Sequence, residues 1–192
     1  MNVNAIRKVD GGVIAARGYR CGAVGAGIKT KAGALDVSII FSDRPAAAAA
    51  LFTTNRVCAA PVLYSRNLLR KRRTVRGIAV NAGNANACTG SQGMKDARRM
   101  AGLAERAVGA PAGSFLIAST GIIGRPMPMA KIEAGLRAAA AVLGDSAGHA
   151  ESVRRAIMTT DTVPKSAAVE FRLGGRRNST AALFGTVSVV MI

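Results

Sequence analysis

Residues 77–120 read GIAVNAGNANACTGSQGMKDARRMAGLAERAVGAPAGSFLIAST. The run 77–80 is apolar and predicts a short strand leading into Asn81. From 94 to 108 the period changes. Ala97, Met100, Ala101, Ala104 and Val108 fall on one stripe, with Lys95, Asp96, Arg98, Arg99, Glu105 and Arg106 outside it. That pattern predicts an amphipathic helix. Residues 114–118 predict a second short, buried strand. Strand, helix and strand in close succession place the chain in the mixed α and β class.

Working outward, residues 35–41 (LDVSIIF) alternate and are β-branched, which predicts another strand. Residues 42–45 end on Pro45 and read as a breaker, because proline lacks an N–H donor. Residues 46–54 carry both helix-forming alanines and strand-forming Leu51, Phe52, Thr53 and Thr54, and the two readings stay open. Residues 11–35 are glycine-rich and predict turns with one or two short strands. Downstream, a helix is expected over 128–143. Pro128 suits its first turn and Gly144 a left-handed stop. A further helix is expected over 147–158, then strands over 163–173 and 181–192. Strands and helices alternate irregularly, so a mixed α+β class is expected rather than a regular βαβ wind.

At 192 residues the chain has the size of one domain or two small ones, and it can bury a core without disulfides or metal. Alanine occurs 38 times against seven aromatics and no tryptophan, so packing must be close to the backbone. The net charge of +17 rests on 20 arginines and seven lysines. Such an excess favours nucleic-acid or anion binding, but a GC-rich genome raises Arg and Ala together as well. Six positive charges lie in the eleven residues 66–76. No aromatic interleaves them, and a solvated helix end or loop is the preferred reading over a phosphate site, so nucleic acid is not the expected partner. Cys21, Cys58 and Cys88 match no metal spacing, and with one histidine no metal site is expected. The start has no apolar leader and no run reaches membrane-span length, so a cytoplasmic protein is expected.

Three other stretches carry more polar groups than packing requires. Residues 81–90 hold Asn81, Asn84 and Asn86, which form either a loop scaffold or a pocket wall. Residues 118–124 (ASTGIIG) follow a strand. The Thr120 hydroxyl with N–H groups beside Gly121 would make an anion or oxyanion nest, against a plain strand-end turn. Residues 158–165 (MTTDTVPK) set three threonines, an aspartate and Lys165 at a helix end, either as caps or as a grip on a zwitterion or carboxylate. His149 has no obvious partner and is not expected to be a catalytic base.

Read in order, residues 36–66, 79–97, 116–132 and 156–170 resemble the glutamate N-acetyltransferase (ornithine acetyltransferase) family of arginine biosynthesis. The resemblance spans about residues 11–170. It implies a layered α/β fold, incomplete without a second, β chain, and a precursor that cuts itself before a threonine. That threonine would accept the acetyl group of N-acetylornithine and pass it to glutamate. It implies no resident cofactor, with acetyl-CoA as a further substrate of some members, and hetero-oligomeric assembly with the β chain. The family's oxyanion pair carries over onto Thr120 and Gly121, a stabilisation of about 3–4 kcal/mol. Its substrate-binding threonine carries over onto Thr159, with Thr160 next.

The resemblance stops near Arg172. Residues 174–192 are expected to be a divergent tail on an α-chain-like domain of residues 1–173. The tail holds no Ala-Thr pair, and Thr180 follows serine, so no nucleophile is assigned. The alternatives are a truncated, inactive relative and a basic nucleic-acid-binding module.

Overall fold

The computed structural model describes residues 3–173 and 180–185, with side chains over residues 7–170. A four-stranded sheet forms the centre, in the order β2 (Tyr19–Val24), β3 (Val37–Ala47), β4 (Thr74–Asn84), β5 (Phe115–Ile122). The first three strands are antiparallel, and β5 runs parallel to β4. A parallel neighbour needs a crossover, and α2 (Gly90–Ala107) supplies it. A second, antiparallel sheet has the order β1 (Val3–Val9), β6 (Ala167–Leu173), β7 (Thr180–Gly185). The mixed layered class expected from the sequence is the class observed.

Alternation along β3 puts Val37, Ile39 and Phe41 on one face. They join Ala79, Phe115 and Ile117 and pack against Met100, Ala101 and Ala104 of α2 and Ile132, Leu136 and Ala139 of α3 (Met129–Ala141). The abundant small residues let the layers approach. A Cβ on Gly135 would lie 2.8 Å from the Val37 side chain. The helix α1 (Ala60–Lys71) covers the open edge of β5. There the Ser65 hydroxyl donates to the Ile117 carbonyl at 3.2 Å and accepts its N–H at 3.3 Å. On the other side of the sheet, α4 (Ala147–Ala156) packs on β2 and β3, with Val153 and Ala156 buried.

Several expectations are corrected. Residues 42–45 do not end the strand, because β3 continues through Pro45 by a bulge. Phe41 pairs with Gly77, and the next pair is Ala46 with Val75. Arg76 fills the gap. It donates to the Ser42 carbonyl at 2.9 Å and the Asp43 carbonyl at 3.2 Å, and its guanidinium stacks 4.8 Å from the Phe41 ring. A proline is tolerated where the ladder is already interrupted. The basic run 66–76 is the solvated helix end and loop expected of it, and it continues into a strand. It spans the second half of α1 and the start of β4.

On α2, Asp96 and Glu105 are buried rather than solvent-facing. The Glu105 carboxylate accepts the N–H groups of Ser114 and Phe115, at 2.8 and 3.2 Å, and so ties the helix end to β5. The helix starts at Gly90, four residues before the apolar stripe reveals it. Gly144 is no helical stop. It forms an isolated antiparallel bridge with Cys21. Strand β6 starts at Ala167 rather than 163, and of the strand expected over 181–192, residues 186–192 lie outside those described.

Candidate functional site

The parallel strands β4 and β5 end together, with Gly83 opposite Gly121. Both adopt positive φ, +102° and +128°. A Cβ on Gly121 would stand 2.4 Å from the Gly83 carbonyl carbon and 2.7 Å from the Asn84 nitrogen. A Cβ on Gly83 would stand 3.1 Å from the Lys29 nitrogen and Cγ. Three backbone segments therefore stack here at a spacing that only glycine permits.

The asparagines hold the loops that leave these strand ends. Asn81 is fully buried. Its amide donates to the Asn84 carbonyl at 2.8 Å, and its side-chain oxygen accepts the Ser119 hydroxyl at 2.6 Å. Asn86 donates to the Gly93 carbonyl at 2.9 Å and accepts the Thr89 hydroxyl at 2.6 Å. Asn84 reaches the Met127 sulfur at 3.3 Å. Of the two readings left open for residues 81–90, the scaffold is the one these bonds describe, because the amides are spent on the protein itself.

Thr120 sits opposite Ala82, half-buried, and lines a cleft of about 1370 Å³. The cleft lies along the face of the central sheet turned away from α2 and α3, where Ile40, Ile78 and Leu116 are half-exposed. Its far wall includes α4 and the start of the second sheet. Ile157, just past α4, and Lys165 line the same cleft as Thr120. Gly121, the next residue, is exposed and is not among the lining residues. Thr159 and Thr160 lie between Ile157 and Lys165 in the chain; both are exposed and neither is among the lining residues.

Charge in this wall is paired. Lys165 Nζ lies 2.8 Å from Asp161 Oδ1, and this hydrogen bond pulls the Asp161 carboxyl below its ordinary range. Glu151 pairs with Arg155 at 2.6 Å and with Arg154, and these bonds lower its pKa too. Lys165 must therefore exchange Asp161 for any ligand carboxylate it holds. His149 stands apart from the cleft, its Nδ1 2.6 Å from the hydroxyl of Ser146 at the start of α4. Among the described residues, no group of three His, Cys, Asp or Glu side chains could hold a metal ion, and no helix is long and apolar enough to cross a membrane.

Two residues with structural weight here escaped the sequence analysis. Asp36 is buried and accepts the N–H groups of Ala26, Ile28 and Lys29 at 2.7, 2.6 and 3.0 Å. Lys29 donates to the carbonyls of Leu35 and Ala156 at 2.7 and 2.9 Å. A lone acid directly before the apolar run 37–41 was the available signal for Asp36. Nothing local marks Lys29, whose partner lies 127 positions away.

The family model described as the ArgJ family matches residues 20–187. The arginine biosynthesis bifunctional protein ArgJ of Gloeobacter violaceus is 47% identical over 170 residues, which cover 88% of this chain and 41% of the relative. That of Thermosynechococcus vestitus is 41% identical, covering 96% of this chain and 45% of the relative. This chain thus spans less than half the length of these curated relatives. Among solved structures, a chain of the ArgJ protein of Bacillus halodurans superposes with a TM-score of 0.88 at 30% identity, covering 100% of this chain and 98% of that one. A chain of the ornithine acetyltransferase of Mycobacterium tuberculosis, complexed with ornithine, gives 0.84 at 33% identity and 98% coverage of both. With sequence and fold matching over most of its length, this chain belongs to the ArgJ family.

Proposed function

We propose that this chain forms one wall of an acetyltransferase site that moves an acetyl group from N-acetylornithine to glutamate. Residues 1–173 act as the α-chain-like domain, and residues 174–192 as its tail. The attacking threonine comes from a β chain, and the two kinds of chain work as a hetero-oligomer in the cytoplasm. The threonine hydroxyl adds to the acetyl carbonyl, the C–N bond breaks and ornithine leaves with its amine reprotonated. The glutamate amine then attacks the acetyl-threonine ester and regenerates the hydroxyl. Thr120 and Gly121 stabilise the oxyanion formed in both halves, and Thr159, with Thr160 beside it, binds substrate. Acetyl passes from substrate to protein to substrate, so the scheme needs no resident cofactor, and acetyl-CoA would enter only as another donor.

The observation that carries this reading is the shared cleft, which Thr120 reaches from β5 and Ile157 and Lys165 reach from the segment after α4. Membership of the ArgJ family supports the choice of reaction. The test is Thr120→Val in the assembled α and β protein. The expected result is a fall in kcat of about 10²–10³-fold with KM little changed, as for loss of one oxyanion donor. A rise in KM at unchanged kcat would remove the oxyanion role. The 192-residue chain alone is expected to show no exchange, and turnover by it would refute the external nucleophile.

A further inference from the structure

Lys29 lies ahead of β3 in the loop that Asp36 gathers. The Asp36 carboxylate accepts the Lys29 backbone N–H, so the loop is fixed before the side chain does anything. The stem then passes Gly83, where only the absence of a Cβ makes room for its Cγ. The half-buried ammonium meets carbonyls at the end of α4: Ala156 at 2.9 Å and Arg155 at 3.4 Å, with Leu35 at 2.7 Å as its third acceptor. The last carbonyls of a helix have no partner within it, and a cation there also meets the negative end of the helix dipole. Burial lowers the Lys29 pKa, while Asp36 opposes that fall.

We propose that Lys29 is a positioning residue of the cleft. It latches the C-terminal end of α4, and with it the segment carrying Thr159 and Thr160, to the strand ends that carry Gly83 and Gly121. The connection is direct at each step. Gly121 pairs with Gly83 in the ladder, Lys29 lies where a Cβ on Gly83 would come within 3.1 Å of it, and Lys29 holds the Ala156 carbonyl, three residues before Thr159. Without the latch α4 stays packed on the sheet through Val153 and Ala156, but its last turn and the segment after it lose their fixed distance from the strand ends. Its importance for catalysis rests on the transferase reading given above, but the latch itself does not.

The test compares Lys29→Met and Lys29→Arg with the wild-type chain by amide hydrogen exchange read by mass spectrometry. In Lys29→Met, exchange of the hydrogen-bonded amides at the end of α4, residues 153–158, is expected to rise at least about tenfold relative to β4 and β5, as for a locally released segment. In Lys29→Arg, which keeps a cationic donor for the same carbonyls, most of that protection is expected to return. Unchanged exchange over 153–158 in Lys29→Met, or a rise shared equally by β4 and β5, overturns the latch, as does failure of arginine to restore protection. Should Lys29→Met not fold, Lys29→Gln is read by the same criteria. No acetyl transfer enters this measurement, so the latch and the transferase reading can fail separately. In the assembled enzyme the Met variant is expected to raise KM more than it lowers kcat.

Discussion

Adding one methyl group at Gly121 tests the packing at the heart of the site. In Gly121→Ala the new Cβ would lie 2.4 Å from the Gly83 carbonyl carbon, and the obstacles are backbone atoms that no rotamer change can move. Ordinary carbon contacts begin near 3.5 Å, so β4 and β5 must part by about 1 Å. Such overpacking costs about 1–3 kcal/mol. The φ of +128° adds about 1–3 kcal/mol for a residue bearing a Cβ. Together these come to about 2–6 kcal/mol, a large share of a domain's total of about 5–15 kcal/mol. Gly124→Ala is the matched control. Its φ is +75° and nothing stands within 4 Å of its Cβ position. It therefore carries only the left-handed cost of about 1–2 kcal/mol. Urea melts followed by circular dichroism, at equal slope, measure both. Equal midpoints for the two variants would refute the close-approach argument. The consequence reaches the mechanism. Lost turnover in a Gly121 variant mixes strand displacement with oxyanion effects, whereas Thr120→Val separates them.

Two further predictions concern buried groups. Asn81→Ala strands the Asn84 carbonyl and the Ser119 hydroxyl, and should lower stability by about 1–3 kcal/mol for each partner left unsatisfied; a midpoint within error of wild type would show that water replaces the amide. Burial pushes the Cys21 thiol up to about 11 from 9.0, so the neutral thiol's contribution to stability is whole below about pH 9 and is lost as the pH rises toward 11. At pH 8 alkylation followed by peptide mapping should label exposed Cys88 and spare Cys21, and equal labelling of the two would contradict the burial.

Much of the frame was legible in the chain. Alternation in 35–41 and the stripe from Ala97 to Val108 reported the two periods on which sheet and helix burial depend, and both elements are observed. Helix α1 was missed because its charges, read along the chain, resemble a solvated run, while its buried contacts are Ala60, Pro61 and Ser65. Glu105 was misassigned because periodicity treats every carboxylate as surface. Its acceptors' partners, Ser114 and Phe115, become neighbours only after the chain turns back into β5.

The class of fold, helices α2, α3 and α4, and the short stretches around Thr120 and Thr159 that mark the family could be read directly from residue order, because local period is written along one dimension. Tertiary structure alone decided that Gly83 and Gly121 meet, that Asp36 gathers the loop before it, and that Lys29 ties α4 to the sheet. Those facts depend on distances between segments far apart in the chain. No local pattern encodes such a distance, since a glycine needed for contact and a glycine needed for a turn are the same letter.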